Sequence, residues 1–275
     1  MKEYDVLDWK VIGSELGDEV VAVLHNQELT EQELIDGCKE IGNIFAPGAY
    51  FNHPDYPEIF RVTNRKENGK FVGIFPEAEL QWHNNGYLRH WRYINEAIVA
   101  LYCIEPGIDS VTSFIDSQVA FDSLPFELKE EARQYEYWVE FNPDDSIYDF
   151  TEGDKELVAL FQRNRYTKPS WKPLIVTHPS RTVPNWWISK EAIYLGNTFM
   201  RKLRNKETKE EYTLESKRDL IKALEEELFQ TKHVYHHHWQ KGDLVISDQF
   251  YSYHKRNKVK GDRLLYRLAF NYKNL

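Results

Sequence analysis

The chain has 275 residues, 41% hydrophobic and 15% aromatic, enough apolar side chain for one sizeable core with insertions. A formal net charge of -9 argues against a general binder of nucleic acid or anionic membrane, since both require a basic surface, and leaves a small molecule as the expected partner. Cys38 and Cys103 are too few for a disulfide framework. Together with an N-terminus, "MKEYDVLDWK", that lacks a leader pattern, and with no apolar run of membrane-spanning length, they predict a cytoplasmic protein, with homo-oligomerisation left open.

Taken in chain order, "LTEQELIDGCKEIGNIF" predicts a helix capped by Thr30, with Glu33 completing a capping box and Leu34, Ile35, Cys38 and Ile41 at helical spacing. "IFRVTNRKENGKFVGIF" predicts two strands about an Asn68-Gly69 turn. "YINEAIVALYCIE", ended by Pro-Gly, predicts a buried strand. "VTSFIDSQVAFDSLPFELKEEAR" starts as a strand and turns helical, and "KPLIVTHP" and "EAIYLGNT" are short strands joined by a loop. "TLESKRDLIKALEEELFQ" is the clearest helix, striped by Leu220, Ile221, Leu224 and Leu228. "HVYHHHWQKGDLVISDQFYSYH" predicts strand, Gly-Asp turn, strand, and "DRLLYRLAFNY" a last strand. Many short strands with few helices predict a mainly β, α+β fold, either a β-sandwich or a double-stranded β-helix (jelly roll, cupin-like) core, flanked by helices. The whole chain, 1–275, is expected to be one domain, with a helix-bearing insertion at about 126–232.

His83 and Asn85 stand two apart in "LQWHNNGY", a spacing that in extended backbone points both side chains to one face. His254 follows 171 residues later, and Arg263 and Arg267, four apart, share a strand face in "GDRLLYRLAF". Two neighbouring ligands and a remote histidine on sheet strands is how a 2-His-1-carboxylate site is assembled, leaving positions open on Fe(II) for a 2-oxo acid and O2. A nearby arginine can grip the far carboxylate of 2-oxoglutarate, and a hydroxyl such as Thr112 can add a hydrogen bond.

These segments, with "IDSVTSFIDSQVAFDSLP" and "HHHWQKGDLVISDQFYSYHKR", follow one another as in the taurine dioxygenase-like (TauD/TfdA) family of Fe(II)- and 2-oxoglutarate-dependent oxygenases, which the chain resembles over roughly residues 28–273. The resemblance implies an oxidoreductase, a dioxygenase using Fe(II), 2-oxoglutarate and O2. His83 and His254 would be iron ligands, Thr112 and Arg263 would hold 2-oxoglutarate, and Arg267 would share that carboxylate or meet an acidic substrate.

Asn85 stands where the family pattern has Asp. Three outcomes stay open: a neutral oxygen ligand in an active oxygenase, a vacated position as in radical halogenases, or a disabled site. Tyr87, Arg89 and Trp91 are the expected substrate contacts, with Trp138 a further candidate wall, for a small, carboxylate-bearing metabolite. Hydroxylation, desaturation and cyclisation are all compatible with such a site. Asp248, six residues before His254, is expected to hold its loop by accepting hydrogen bonds, with a role as substitute metal carboxylate the alternative. "HHHW" is read as structural rather than as a zinc site, because no further ligand stands at the right spacing.

Overall fold

The structure is a computed structural model that describes residues 1–45, 51–73, 77–85, 97–140, 169–178, 190–195 and 200–273. In chain order the strands are β1 (Lys2–Glu3), β2 (Val21–Leu24), β3 (Gly42–Phe45), β4 (Phe60–Thr63), β5 (Lys66–Glu67), β6 (Lys70–Phe71), β7 (Leu80–His83), β8 (Ile98–Pro106), β9 (Val111–Asp116), β10 (Tyr135–Val139), β11 (Ser170–Pro173), β12 (Ile175–Thr177), β13 (Glu191–Ile193), β14 (Met200–Asn205), β15 (Glu211–Thr213), β16 (Val234–His238), β17 (Leu244–Asp248), β18 (Ser252–Arg256) and β19 (Arg263–Tyr272). The helices are α1 (Trp9–Glu19), α2 (Glu31–Ile41), α3 (Ser117–Ser123), α4 (Phe126–Arg133) and α5 (Arg218–Leu228).

The largest sheet runs β1-β2-β17-β8-β19-β3, with β4 also paired to β19; a second runs β16-β9-β18-β7. Side-chain alternation splits the two faces of the large sheet. Ala22, Leu24, Ala100, Tyr102, Leu244, Ile246, Leu264, Leu268 and Phe270 pack under α1 and α2, against Ile12, Leu16, Leu34, Ile35 and Cys38. Val21, Val23, Cys103, Val245 and Leu265 point the other way and join Phe114 of the second sheet, while Ile115 and Tyr253, on that sheet's opposite face, extend the same apolar cluster. Two sheets closing on a shared interior, with helices outside, is the jelly-roll arrangement that the strand pattern predicts. A third sheet, β11-β10-β14-β15, and helices α3 to α5 add Tyr135, Tyr137, Val139, Leu203, Leu220, Leu224 and Leu228 to the same cluster.

The predicted helix over Thr30–Ile41 is α2, and both halves of its capping box form: Glu33 N donates to Thr30 Oγ1 at 3.2 Å and Thr30 N to Glu33 Oε2 at 2.8 Å. Asn68 and Gly69 take positive φ, 50° and 79°, and turn β5 into β6. That hairpin is only two residues deep on each side, because β4 turns away to pair with β19. The sequence reading marks nothing before residue 29, yet α1 and β2 are there. The Asp8 side chain caps α1 by accepting from Lys10 N and Val11 N, and α1 lies so close to α2 that a Cβ on Gly37 would sit 2.0 Å from the Trp9 ring. Strands β16 and β17 flank the Gly-Asp turn but enter different sheets, so the turn is a crossover between layers.

Candidate metal and co-substrate site

The register of β7 against β18 sets His83 opposite His254, with ring centroids 4.2 Å apart and ring planes at 53°. His83 Nδ1 lies 2.7 Å from the Gln81 carbonyl oxygen. A carbonyl only accepts, so Nδ1 carries the proton and Nε2 keeps its lone pair. His254 Nδ1 is buried without a hydrogen-bond partner. Desolvation pushes His83 down to about 4; the Gln81 hydrogen bond opposes that shift, and Arg256 and Arg267 reinforce it. Desolvation, then His83 and Arg267, hold His254 well below the ordinary histidine range. Two adjacent neutral imidazoles with a free lone pair and an orphaned nitrogen fit a divalent cation.

Among the described residues no group of three or more His, Cys, Asp and Glu side chains is arranged to hold a metal. Among the described residues Asn85, two residues past the end of β7, is the candidate third donor. Its main-chain N and its Nδ2 both donate to Gln249 Oε1, each at 3.1 Å. Gln249 is fully buried and donates through Nε2 to Ser247 Oγ at 2.8 Å. Sequence reasoning missed Gln249, since nothing local marks a partner 164 residues away.

Arg263, Leu265 and Arg267 alternate along β19 and share a face, and Leu265 belongs to the interior between the sheets. Arg263 is buried; its Nε donates to Ser110 Oγ at 3.1 Å, which ties β19 to the segment entering β9. Burial pushes its guanidinium down to about 10, and Cys103 partly offsets this. A buried cation with no carboxylate partner among the described residues is a ready seat for an anion. Thr112, two residues past Ser110, is buried, and its Oγ1 accepts from Trp239 Nε1 at 2.8 Å, so its O–H remains to donate. Arg267 lies with its guanidinium 5.9 Å from the centre of the Phe60 ring.

Arg256 is a third interior arginine that sequence reasoning missed. It is buried, stands opposite Thr112 in the β9–β18 register, and donates through Nη2 to the Ala78 carbonyl oxygen at 2.6 Å. Its place two residues after His254 in an extended strand was the available signal.

Asp248 is fully committed to its loop. Oδ1 accepts from Phe250 N at 2.8 Å and Tyr251 N at 2.9 Å, while Oδ2 meets His178 Nε2 at 2.7 Å and the Tyr272 hydroxyl. That leaves no lone pair aimed at a metal. His236 bonds Ser113 Oγ at 2.8 Å, and buried His237 lies 3.1 Å from Asp243, itself 2.8 Å from His25. Trp138 meets Trp171 with ring centroids 5.3 Å apart and planes tilted at 59°, on the face of its sheet opposite the buried Tyr137 and Val139. Tyr87, Arg89 and Trp91 lie outside the described residues.

Comparison with known proteins agrees with this geometry. The model of the taurine catabolism dioxygenase TauD, TfdA family matches residues 3–269. The chain is 26% identical over 251 residues to an alpha-ketoglutarate-dependent 2,4-dichlorophenoxyacetate dioxygenase from Burkholderia sp. (strain RASC), covering 86% of this chain and 76% of that one. It is 20% identical over 258 residues to pentalenolactone F synthase from Streptomyces avermitilis, covering 90% and 78%. The solved structure of AAD-2 in complex with Mn(II) and N-oxalylglycine shares the fold at a TM-score of 0.68 and 18% identity, over 99% of this chain and 94% of that chain. The chain belongs to the taurine catabolism dioxygenase TauD, TfdA family.

Proposed function

We propose that this member of a dioxygenase family is an Fe(II)- and 2-oxoglutarate-dependent oxygenase that oxidises an unactivated C–H bond of a small, carboxylate-bearing metabolite. The observation that carries the reading is the neutral His83–His254 pair lying across the jelly-roll interior from a buried arginine, Arg263, that no carboxylate among the described residues neutralises. In this reading His83, His254 and Asn85 hold the iron, and Thr112 and Arg263 hold the far carboxylate of 2-oxoglutarate. Arg267 and Arg256 supply positive potential for an acidic substrate. Tyr87, Arg89 and Trp91 are assigned to the substrate wall from the sequence.

Iron with 2-oxoglutarate and O2 supplies the oxidant for C–H cleavage, the co-substrate leaving as succinate and CO2. The protein supplies position and electrostatics. Desolvation keeps both imidazoles deprotonated, and the Gln81 carbonyl fixes the His83 tautomer. A neutral third donor leaves the full charge on the cation, which strengthens its hold on a dianionic 2-oxo acid. The engagement of the Asn85 carboxamide with Gln249 favours an oxygenase over a halogenase, since a halide requires that position vacated.

The test is an anaerobic titration of the native protein with Fe(II) and 2-oxoglutarate, followed by oxygen. A visible charge-transfer band and then succinate formation, independent of chloride, are expected. No band and no succinate overturn the reading, and a product that needs chloride replaces it with halogenation.

A further inference from the structure

We infer that Gln249 is a positioning residue that decides which end of the Asn85 carboxamide faces the cation. The inference rests on the metal-site reading above and goes beyond it, because it concerns how a neutral amide is made to serve where a carboxylate is expected. An amide side chain can present either oxygen or NH2, and only the oxygen binds a hard cation. Something must therefore choose.

The choice follows from one group whose chemistry cannot be reversed. The main-chain N–H of Asn85 can only donate, and it lies 3.1 Å from the Gln249 side-chain oxygen position. The atom there must be an acceptor, which fixes it as Oε1. The NH2 end of Gln249 then falls beside Ser247, where Oγ accepts at 2.8 Å and the main-chain oxygen lies at 3.3 Å. Both ends of a fully buried amide are thereby set. The same Oε1 lies 3.1 Å from the Asn85 side-chain amide, so that group must offer NH2 to it. Oδ1 of Asn85 is the end left for the cation. Ser247 locks Gln249, and Gln249 orients Asn85.

An aspartate at 85 would set a carboxylate oxygen against Gln249 Oε1. Turning the glutamine to relieve this would break its bond to Ser247 and leave the main-chain N–H of residue 85 facing NH2. Residues 85, 249 and 247 thus form a matched set, which argues against Asn85 as a lesion in an otherwise aspartate-ready site.

Affinity for Co(II) in the presence of 2-oxoglutarate, measured calorimetrically and by the Co(II) visible spectrum, tests this. The proteins are the native chain, Gln249→Met, Ser247→Ala, Asn85→Ala, and each of the first two variants combined with Asn85→Ala. Gln249→Met is expected to weaken Co(II) binding by roughly ten- to a hundredfold. Ser247→Ala, the milder change and the safer one for folding, is expected to weaken it severalfold. Both losses should vanish on the Asn85→Ala background, because the effect passes through Asn85. Unchanged affinity in Gln249→Met and Ser247→Ala, or equal losses on both backgrounds, overturns the inference while leaving the metal site standing. Failure of the native chain to bind Co(II) overturns the metal-site reading itself.

Discussion

His254 stands directly across the β7–β18 ladder from His83, and the two rings approach to 4.2 Å between centroids, neither carrying a charge to hold them apart. Two neutral imidazoles so close, with a lone pair freed on one and an unpartnered nitrogen on the other, would be stabilised by a shared cation. His83→Ala and His254→Ala should each reduce Co(II) affinity by more than the roughly 10- to 100-fold typical of an outer partner. Thermal melts of the metal-free variants should show the fold retained. A variant that lacks either ring and still binds Co(II) as the native chain does would contradict the assignment.

Arg263 should act on the co-substrate and not on the metal. Its guanidinium is buried and anchored to Ser110, so Arg263→Lys keeps a charge while losing both the planar fork and the Nε bond. The expected result is a rise in the KM for 2-oxoglutarate of roughly ten- to a hundredfold, with kcat changed far less and Co(II) affinity without co-substrate unchanged.

Asp248→Asn separates a structural carboxylate from a metal ligand. Asparagine keeps an acceptor for Phe250 N and Tyr251 N but sets NH2 where His178 and the Tyr272 hydroxyl now meet Oδ2. Denaturant unfolding should show a loss of about 2–4 kcal/mol. Below the lowered melting temperature, Co(II) affinity should match that of the native chain.

Lys172 gives a pH-dependent prediction. It sits fully buried on β11 opposite Tyr137, its Nζ has no hydrogen-bond partner, and burial pushes it down to about 7. Between about 7 and the ordinary lysine value of 10.5 the unfolded chain binds a proton that the folded chain does not, so this group makes stability rise with pH across that window. Lys172→Met removes the penalty. It should stabilise the protein by a few kcal/mol at pH 7 and below, and the gain should shrink towards zero as pH approaches 10. Chemical denaturation at several pH values reads this directly, and a gain that does not vary with pH would contradict it.

The sequence by itself determined the parts whose physics is local or periodic. The Thr30–Glu33 capping box, the Asn68-Gly69 turn and the leucine stripe of α5 each follow from residues within one or two turns of one another, and each formed as the spacing requires. The order of strand motifs was enough to name the fold class, because binary alternation already says which faces are buried. Tertiary structure alone decided which distant positions meet. His83 and His254 become a pair only through the β7–β18 register, and Arg263 reaches Ser110 only because β19 lies across the interior from β9. Gln249 and the bonds that use up Asp248 are silent in the string, since a hydrogen bond between residues 164 apart leaves no periodic trace. The third donor shows the division most sharply: the sequence says that residue 85 is an amide, and only the fold, by burying Gln249 against Ser247, chooses which end of that amide is offered.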